Sequence, residues 1–462
     1  MFSKQNRKKT ILILLFLTLI LGISRSTLSA DIRALWVTAW DINTPEKIDK
    51  MVEFALDHNI NQIFAHVRYR SDALYFPNRF FDTYDNPEPR SYILNGNYFD
   101  PLAYLLDITK ETDLEIHAWV TVFVATPRTI ENIADNHLYK TRNEWFTRDF
   151  LDTQMSYNSY EGAYLDPGVP EVQDYLINVF LDIVNNYPVK GIQLDYIRYP
   201  DSQFGHNPVA IESFHRSGYN NSQFHQWKEE QINRFVRRFY AEIKYHDPEL
   251  IVSAAVISDL NRARMRYSQN WTEWLEEGYL DYAYIMSYSP VDEVVQKELD
   301  EVKKWKERII VGLRAWAENN RPYSPDLVSS KISISKKLGF PGIALFSYSG
   351  IRANNNPTLT NALTGKNSPA TTLTNNFIFG YVTYNHDIAL PRIPVYLNDG
   401  KRITFTDENG FFFFNHLKPG NYSLKADKGI NVLFSSTIGI PATNSVFPVK
   451  YNLSFPEMAK ID

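Results

Sequence analysis

Residues 170–200 read PEVQDYLINVFLDIVNNYPVKGIQLDYIRYP, and two periods meet inside them. Val172, Leu176, Val179, Phe180 and Ile183 recur at the spacing of a helix with one apolar face. Pro170 suits the first turn of that helix, where no backbone donor is needed. From Lys190 the pattern becomes KGIQLDYI, a short β run. There Ile192 and Leu194 share one face, and Gln193 and Asp195 share the other. A helix that hands over to a strand ending in an acid is part of a βα repeat. The fold depends on how often the chain repeats it.

Outward from this stretch, the alternation runs from residue 31 to about 350. Strands are predicted at 32–39, 61–69, 114–123, 190–197, 250–258, 280–288, 308–315 and 342–348. Helices are predicted at 45–59, from 101, at 170–187, 222–246, 271–277, 292–306 and 325–338, with Thr44 and Pro45 as a start signal for the first. Eight strands alternating with helices predict an α/β chain, a (β/α)8 TIM barrel. The runs 70–99, 124–168 and 199–221 are long and each follows a strand. They are therefore loop insertions on the C-terminal face, where this fold builds its sites. A doubly wound open sheet is the rival, but no glycine-rich phosphate loop follows the first strand.

The remaining segments set the domain plan: a signal peptide at 1–30, the barrel at 31–363, a linker at 364–375 and a small all-β sandwich at 376–462. Lys4, Arg7, Lys8 and Lys9 precede the apolar run 11–23, and small residues lead to Ala30. That order reads as a secretory leader, with an uncleaved membrane anchor as the alternative, so the protein is expected to be secreted, periplasmic or at the cell surface. TGKNSPATTLTN at 364–375 has no apolar period. After it come short alternating strands punctuated by DG, DENG and KPG turns. With no cysteine, the chain has no disulfide, thiol nucleophile or Cys-based metal site. A net charge of -5 argues against nucleic acid as a partner. Aromatic residues at 15% suit stacking on sugar rings, although any single ring is better explained as core.

Alternation then assigns inward-facing groups: His66 and Arg68 in strand two, His117, Trp119 and Thr121 in three, Tyr284, Met286 and Tyr288 in six, Gly312, Arg314 and Trp316 in seven. Strand eight offers Phe346 and Tyr348. Glycoside cleavage needs two carboxyl groups flanking one bond. Asp195 is the first candidate, as nucleophile or base kept ionised by Arg68 and Arg198; a structural ion pair with Arg198 is the plainer reading. Asp259 is the preferred partner, although it equally suits an N-cap for the segment from Leu260, and Asp72 comes second. Asp41, Asp166, Asp292, Glu293 and Glu318 are the other acids near strand ends. His66, Arg68, His117, Trp119, Arg198, Tyr288, Arg314, Trp316 and Tyr348 are the substrate-binding candidates, and no cofactor or metal is expected.

IRALWVTAWD, FAHVRYRSDALY, EIHAWVTVF, YLDPGVPEVQDYL, GIQLDYIRYP and GIALFSYSG resemble, in order and spacing, the glycosyl-hydrolase-like family 10 barrel proteins. The resemblance implies an exported bacterial barrel acting on glycans, with peptidoglycan glycan or exopolysaccharide as substrate. It makes Asp195 the family's strand-four acid, Asp72 the acid after strand two and Arg68 the preceding inward arginine. Members commonly carry a second acid after the strand-four one, where this chain has Tyr196, and a Pro-Gln pair where it has Met286 and Ser287. The tail resembles carboxypeptidase-regulatory-like sandwiches, which implies an accessory module in contact with glycan or cell wall. The leading expectation is a secreted glycoside hydrolase, and the alternative is a catalytically inactive glycan-binding surface protein. A metal-dependent deacetylase using His66, His117 and an Asp ranks below both, because no HExxH-type spacing is present.

Overall fold

The computed structural model describes residues 31–315, 324–352 and 374–456, apart from Asp399 and Ile430. The expected leader, Trp316, Glu318 and residues 364–373 of the expected linker lie outside the described residues. A closed barrel of eight parallel strands stands in chain order: β1 (Ile32–Val37), β2 (Gln62–Arg68), β3 (Glu115–Thr121), β4 (Gly191–Asp195), β5 (Ile251–Ile257), β6 (Tyr282–Ser287), β7 (Ile309–Arg314) and β8 (Gly342–Phe346). β8 closes on β1 with Trp36 opposite Phe346. The helices are α1 (Pro45–Asp57), α2 (Pro101–Thr109), α3 (Leu138–Thr141), α4 (Pro170–Asn186), α5 (Pro208–Arg216), α6 (Phe224–His246), α7 (Leu260–Tyr267), α8 (Trp271–Glu276), α9 (Asp292–Val302), α10 (Pro325–Leu338) and α11 (Tyr348–Arg352). α1, α2 and α5 begin alike: Thr44, Asp100 and Asn207 accept from Lys47 N, Ala103 N and Val209 N, and a proline fills the first turn.

Alternation splits the barrel into two cores. Outward residues such as Leu35, Ile63, Ile192 and Leu194 pack with the helices. Inward Trp36, Phe64, Trp119, Ala255, Tyr284 and Ile310 form a separate cluster. Gly312 makes this interior possible, since a Cβ there would lie 3.0 Å from Trp36 Cη2. Trp36 Nε1 donates to Gln193 Oε1, so its polar edge is satisfied inside the barrel.

One strand breaks the pattern. His66 pairs with Trp119, but Arg68 pairs with the next residue, Val120. Val67 is therefore an extra residue, a β-bulge, and it reverses the phase of the residues beyond it.

The C-terminal strands are β9 (Asn376–Tyr384), β10 (Ile388–Ala389), β11 (Pro394–Leu397), β12 (Arg402–Phe405), β13 (Phe411–Phe414), β14 (Gly420–Tyr422), β15 (Leu424–Lys428), β16 (Asn431–Phe434), β17 (Ile438–Ile440), β18 (Phe447–Lys450) and β19 (Leu453–Phe455). β9 pairs with β10, β13, β18 and β19, and a second sheet runs β12-β11-β15-β16. In β13, Phe412 and Phe414 fill the sandwich's own core, whereas Phe411 and Phe413 join Phe377 and Phe379 in the core shared with the barrel. Tyr279 meets Phe413 edge-on at 5.5 Å, and Tyr245 meets Phe379 at 5.9 Å. Around this seam Glu242 accepts from Tyr381 Oη at 2.6 Å and from Lys450 Nζ at 2.9 Å.

Candidate active site

β3 and β4 end side by side, with Thr121 opposite Asp195. Beyond them a cleft of about 240 Å³ opens at the C-terminal mouth of the barrel. Trp36, Trp40, Tyr69, Trp119, Tyr288 and Phe346 supply its aromatic walls, and Asp195, His66, Arg70 and Arg198 its polar groups. Trp40 is 47% exposed at the rim and rests edge-on against Tyr69 at 4.9 Å. Such a ring offers a flat face to a sugar.

Asp195 is only 8% exposed. Its Oδ2 accepts from Trp119 Nε1 at 3.0 Å and its Oδ1 from Tyr196 N at 2.7 Å. Burial pushes its carboxyl up to about 6, against the downward pull of Arg198 and these two hydrogen bonds. The cation was expected to hold this group below the ordinary carboxylate value; desolvation outweighs it and the shift runs upward. His66 stacks on Trp119 at 3.8 Å, and burial drives it down to about 3, so it is a neutral ring. Its contact fixes the indole that donates to Asp195. Tyr196 follows in the left-handed region at φ 53, a sparsely populated conformation for a non-glycine residue. Arg198 lies between the rings of Tyr196 and Tyr267, at 4.9 and 4.8 Å, with Glu161 Oε1 3.7 Å from its Nη2.

The structure places several predicted residues elsewhere. The bulge turns Arg68 outward beneath α4, where it lies over Phe180 and pairs with Glu88 at 2.6 Å. It does not reach Asp195. His117 keeps the inward phase but sits deeper in the barrel, edge-on to Phe64 and 3.7 Å from Glu115. His66 and His117 thus occupy different levels, and among the described residues no three acids or histidines gather to hold a metal. Asp72 is buried 3.9 Å from His137, pushed up to about 8 by burial and by Glu88, and does not line the cleft. Asp259 is exposed and caps α7 by accepting from Arg262 N at 2.8 Å. Asp166 is a buried strut that takes Thr147 Oγ1 at 2.8 Å, Gly168 N at 2.9 Å and Asn207 N at 3.2 Å, joining two cleft loops. Arg314 is buried at the end of β7, outside the cleft lining. Tyr348 is buried against Phe54 of α1, because the chain turns helical there and leaves Phe346 as the cleft ring.

The rings Trp40 and Tyr69 escaped the sequence reading, and so did two charged groups. Arg70 enters the cleft because Arg70 and Ser71 are both left-handed, at φ 57 and 65, within a tight hairpin closed by Tyr69 and Asp72. Glu161 is the other carboxylate whose charge reaches Asp195. It comes from the loop after β3, where no periodicity points to it; the adjacent Gly162, at φ 133, is the only local signal.

Residues 31–315 match the glycosyl hydrolase-like 10 family. The glycosyl hydrolase DigH of Escherichia coli K12 is 26% identical over 297 residues, covering 56% of this chain and 64% of DigH. The chain thus spans a little under two thirds of the length of that relative. The glycosyl hydrolase YngK of Bacillus subtilis is 20% identical over 356 residues, covering 67% of this chain and 66% of YngK. Among solved structures, the glycoside hydrolase domain of PgaB (BpsB) from Bordetella bronchiseptica superposes with a TM-score of 0.57 at 13% identity. The match covers 72% of this chain and 98% of that one, and the likeness is one of fold.

Proposed function

From the chain's membership of the glycosyl hydrolase-like 10 family we infer that it hydrolyses glycosidic bonds of a bacterial polysaccharide, peptidoglycan glycan or an exopolysaccharide, through Asp195. The observation that carries this reading is a buried carboxyl group at the end of β4, inside an aromatic-walled cleft at the mouth of the barrel, where burial raises its pKa. A carboxyl raised by burial is suited to give its proton to a leaving oxygen. As the second carboxylate we take Glu161, which lies outside the cleft lining but 3.7 Å from Arg198 and close enough for its charge to act on Asp195; its role would be to activate water or to stabilise the developing positive charge on the sugar. Rings at the rim hold neighbouring sugars. The N-terminal basic and apolar runs would take the enzyme out of the cytoplasm to such a substrate.

The test is release of reducing ends from both glycan classes by wild type, Asp195→Asn and Glu161→Gln. Loss of general acid catalysis lowers kcat by about 10²–10⁴-fold in Asp195→Asn. With Asp195 as the acid, kcat/KM of the wild type falls as pH rises through about 6. A fall on the acid side instead makes Asp195 the nucleophile or base. Equal activity in wild type and Asp195→Asn removes it from catalysis. A silent glycan-binding protein is the second reading, favoured by Tyr196 in the place of a second acid. Glycan binding that survives Asp195→Asn, with no turnover on either class, selects it.

A further inference from the structure

Arg70 is the cleft cation for which the described residues provide no counter-ion within 4.0 Å. It is half-buried and lines the cleft. Arg68 and Arg198 each have a carboxylate, Glu88 at 2.6 Å and Glu161 at 3.7 Å, whereas Arg70 has none within 4.0 Å among the described residues. It is nevertheless held in place. Its guanidinium lies 5.0 Å over the ring of Tyr69, and Nη1 donates to Thr126 O at 3.2 Å. The loop after β3 closes on the same edge, where a Cβ on Gly162 would come within 3.1 Å of Nη1. Nε is buried and has no acceptor among the described residues. A partly desolvated charge with no internal partner is costly unless a ligand supplies the opposite charge.

We propose that Arg70 is a specificity residue that selects glycans carrying a carboxylate on the sugar, and that this carboxylate docks on the guanidinium while the sugar ring meets the aromatic wall. The proposal rests on the glycan reading of the cleft. Charge balance supports it, because the lining holds two arginines and one carboxylate among the described residues, and Glu161 already serves Arg198. A guanidinium also binds a carboxylate through two parallel hydrogen bonds, which an ammonium cannot do.

The probes are uronate oligosaccharides and peptide-free muramate-containing strands, each paired with its carboxyl-reduced counterpart. Binding is measured on the full chain carrying Asp195→Asn, at low and high salt, and kcat/KM on the wild type. A charge-assisted contact predicts that at least one acidic probe binds roughly tenfold or more tightly than its reduced partner, with the advantage shrinking in salt. Adding Arg70→Gln brings that ratio close to one, and Arg70→Lys restores part of it. A merely structural Arg70 would weaken both members of a pair alike. Equal binding of every pair, no binding of any probe, or a preference that survives Arg70→Gln overturns the proposal. Preference without cleavage by the wild type sinks the hydrolase reading and leaves this one standing, and cleavage without preference does the reverse.

Discussion

Asp195 shows what a single buried carboxyl costs and what it provides. Its folded-state value of about 6 stands above the ordinary 3.8, so the folded protein holds the proton more tightly than the unfolded chain. The associated stability is fully present below about pH 3.8 and is lost as pH rises through about 6. At about 1.4 kcal/mol per pH unit, the loss is about 3 kcal/mol at most. Asp195→Asn removes this titration. Urea unfolding of both proteins should therefore show the variant gaining on the wild type by about 2–3 kcal/mol between pH 4 and 7. A constant difference over that range would contradict the burial account. Gly312 makes the complementary point about space, since a Cβ would lie 2.8 Å from Ile285 O and 3.0 Å from Trp36. Gly312→Ala should cost about 1–3 kcal/mol by overpacking the barrel interior, read from the same urea transition. The position of Asp195 was legible because it closes a strand of strict alternation. Its titration was not, because Tyr288 and Phe346, which wall the cleft with it, arrive from β6 and β8.

At the scale of the element, the bulge in β2 decides which arginine serves the cleft. Alternation alone puts Arg68 inward, but one extra residue sends it under α4 and leaves Arg70 to enter the cleft from the following hairpin. Nothing in FAHVRYRSD marks that insertion, because a bulge is a property of pairing between strands and β3 lies some fifty residues away. The eight strands and their helices were legible because each carries its own period and its own caps. The outward Arg68 is enclosed with Glu88, which also accepts from Tyr175 Oη at 2.9 Å. Removing one partner strands a buried charge. Glu88→Ala should destabilise by about 3–5 kcal/mol in urea unfolding, whereas the double change Arg68→Met with Glu88→Leu should recover most of that loss. Equal losses in the single and double variants would mean that the pair's packing matters more than its charge.

Across the whole molecule, the sandwich is part of the barrel's core. The polar stretch 364–375 reads as a spacer between independent modules, and FFFF in β13 reads as an ordinary strand. A four-residue apolar run hides which of its faces is covered by what. Here both are covered: Phe412 and Phe414 by the sandwich, and Phe411 and Phe413 by the helices around α6. Arg238 Nε donates to Tyr381 Oη at 3.0 Å, and Asn415 Nδ2 donates to Glu277 Oε2 at 2.9 Å, so the rim of the seam is polar and paired. Two units that share a hydrophobic core unfold together. Calorimetry of the wild type should therefore show one transition. Phe→Ala in a core costs about 3–5 kcal/mol, and the two faces of β13 separate where that cost falls. Phe413→Ala should weaken the seam and split the transition in two. Phe412→Ala, pointing the other way, should lower the melting temperature while the unfolding stays a single transition. Two transitions already present in the wild type, or the same response from both substitutions, would return the sandwich to the status of a tethered accessory.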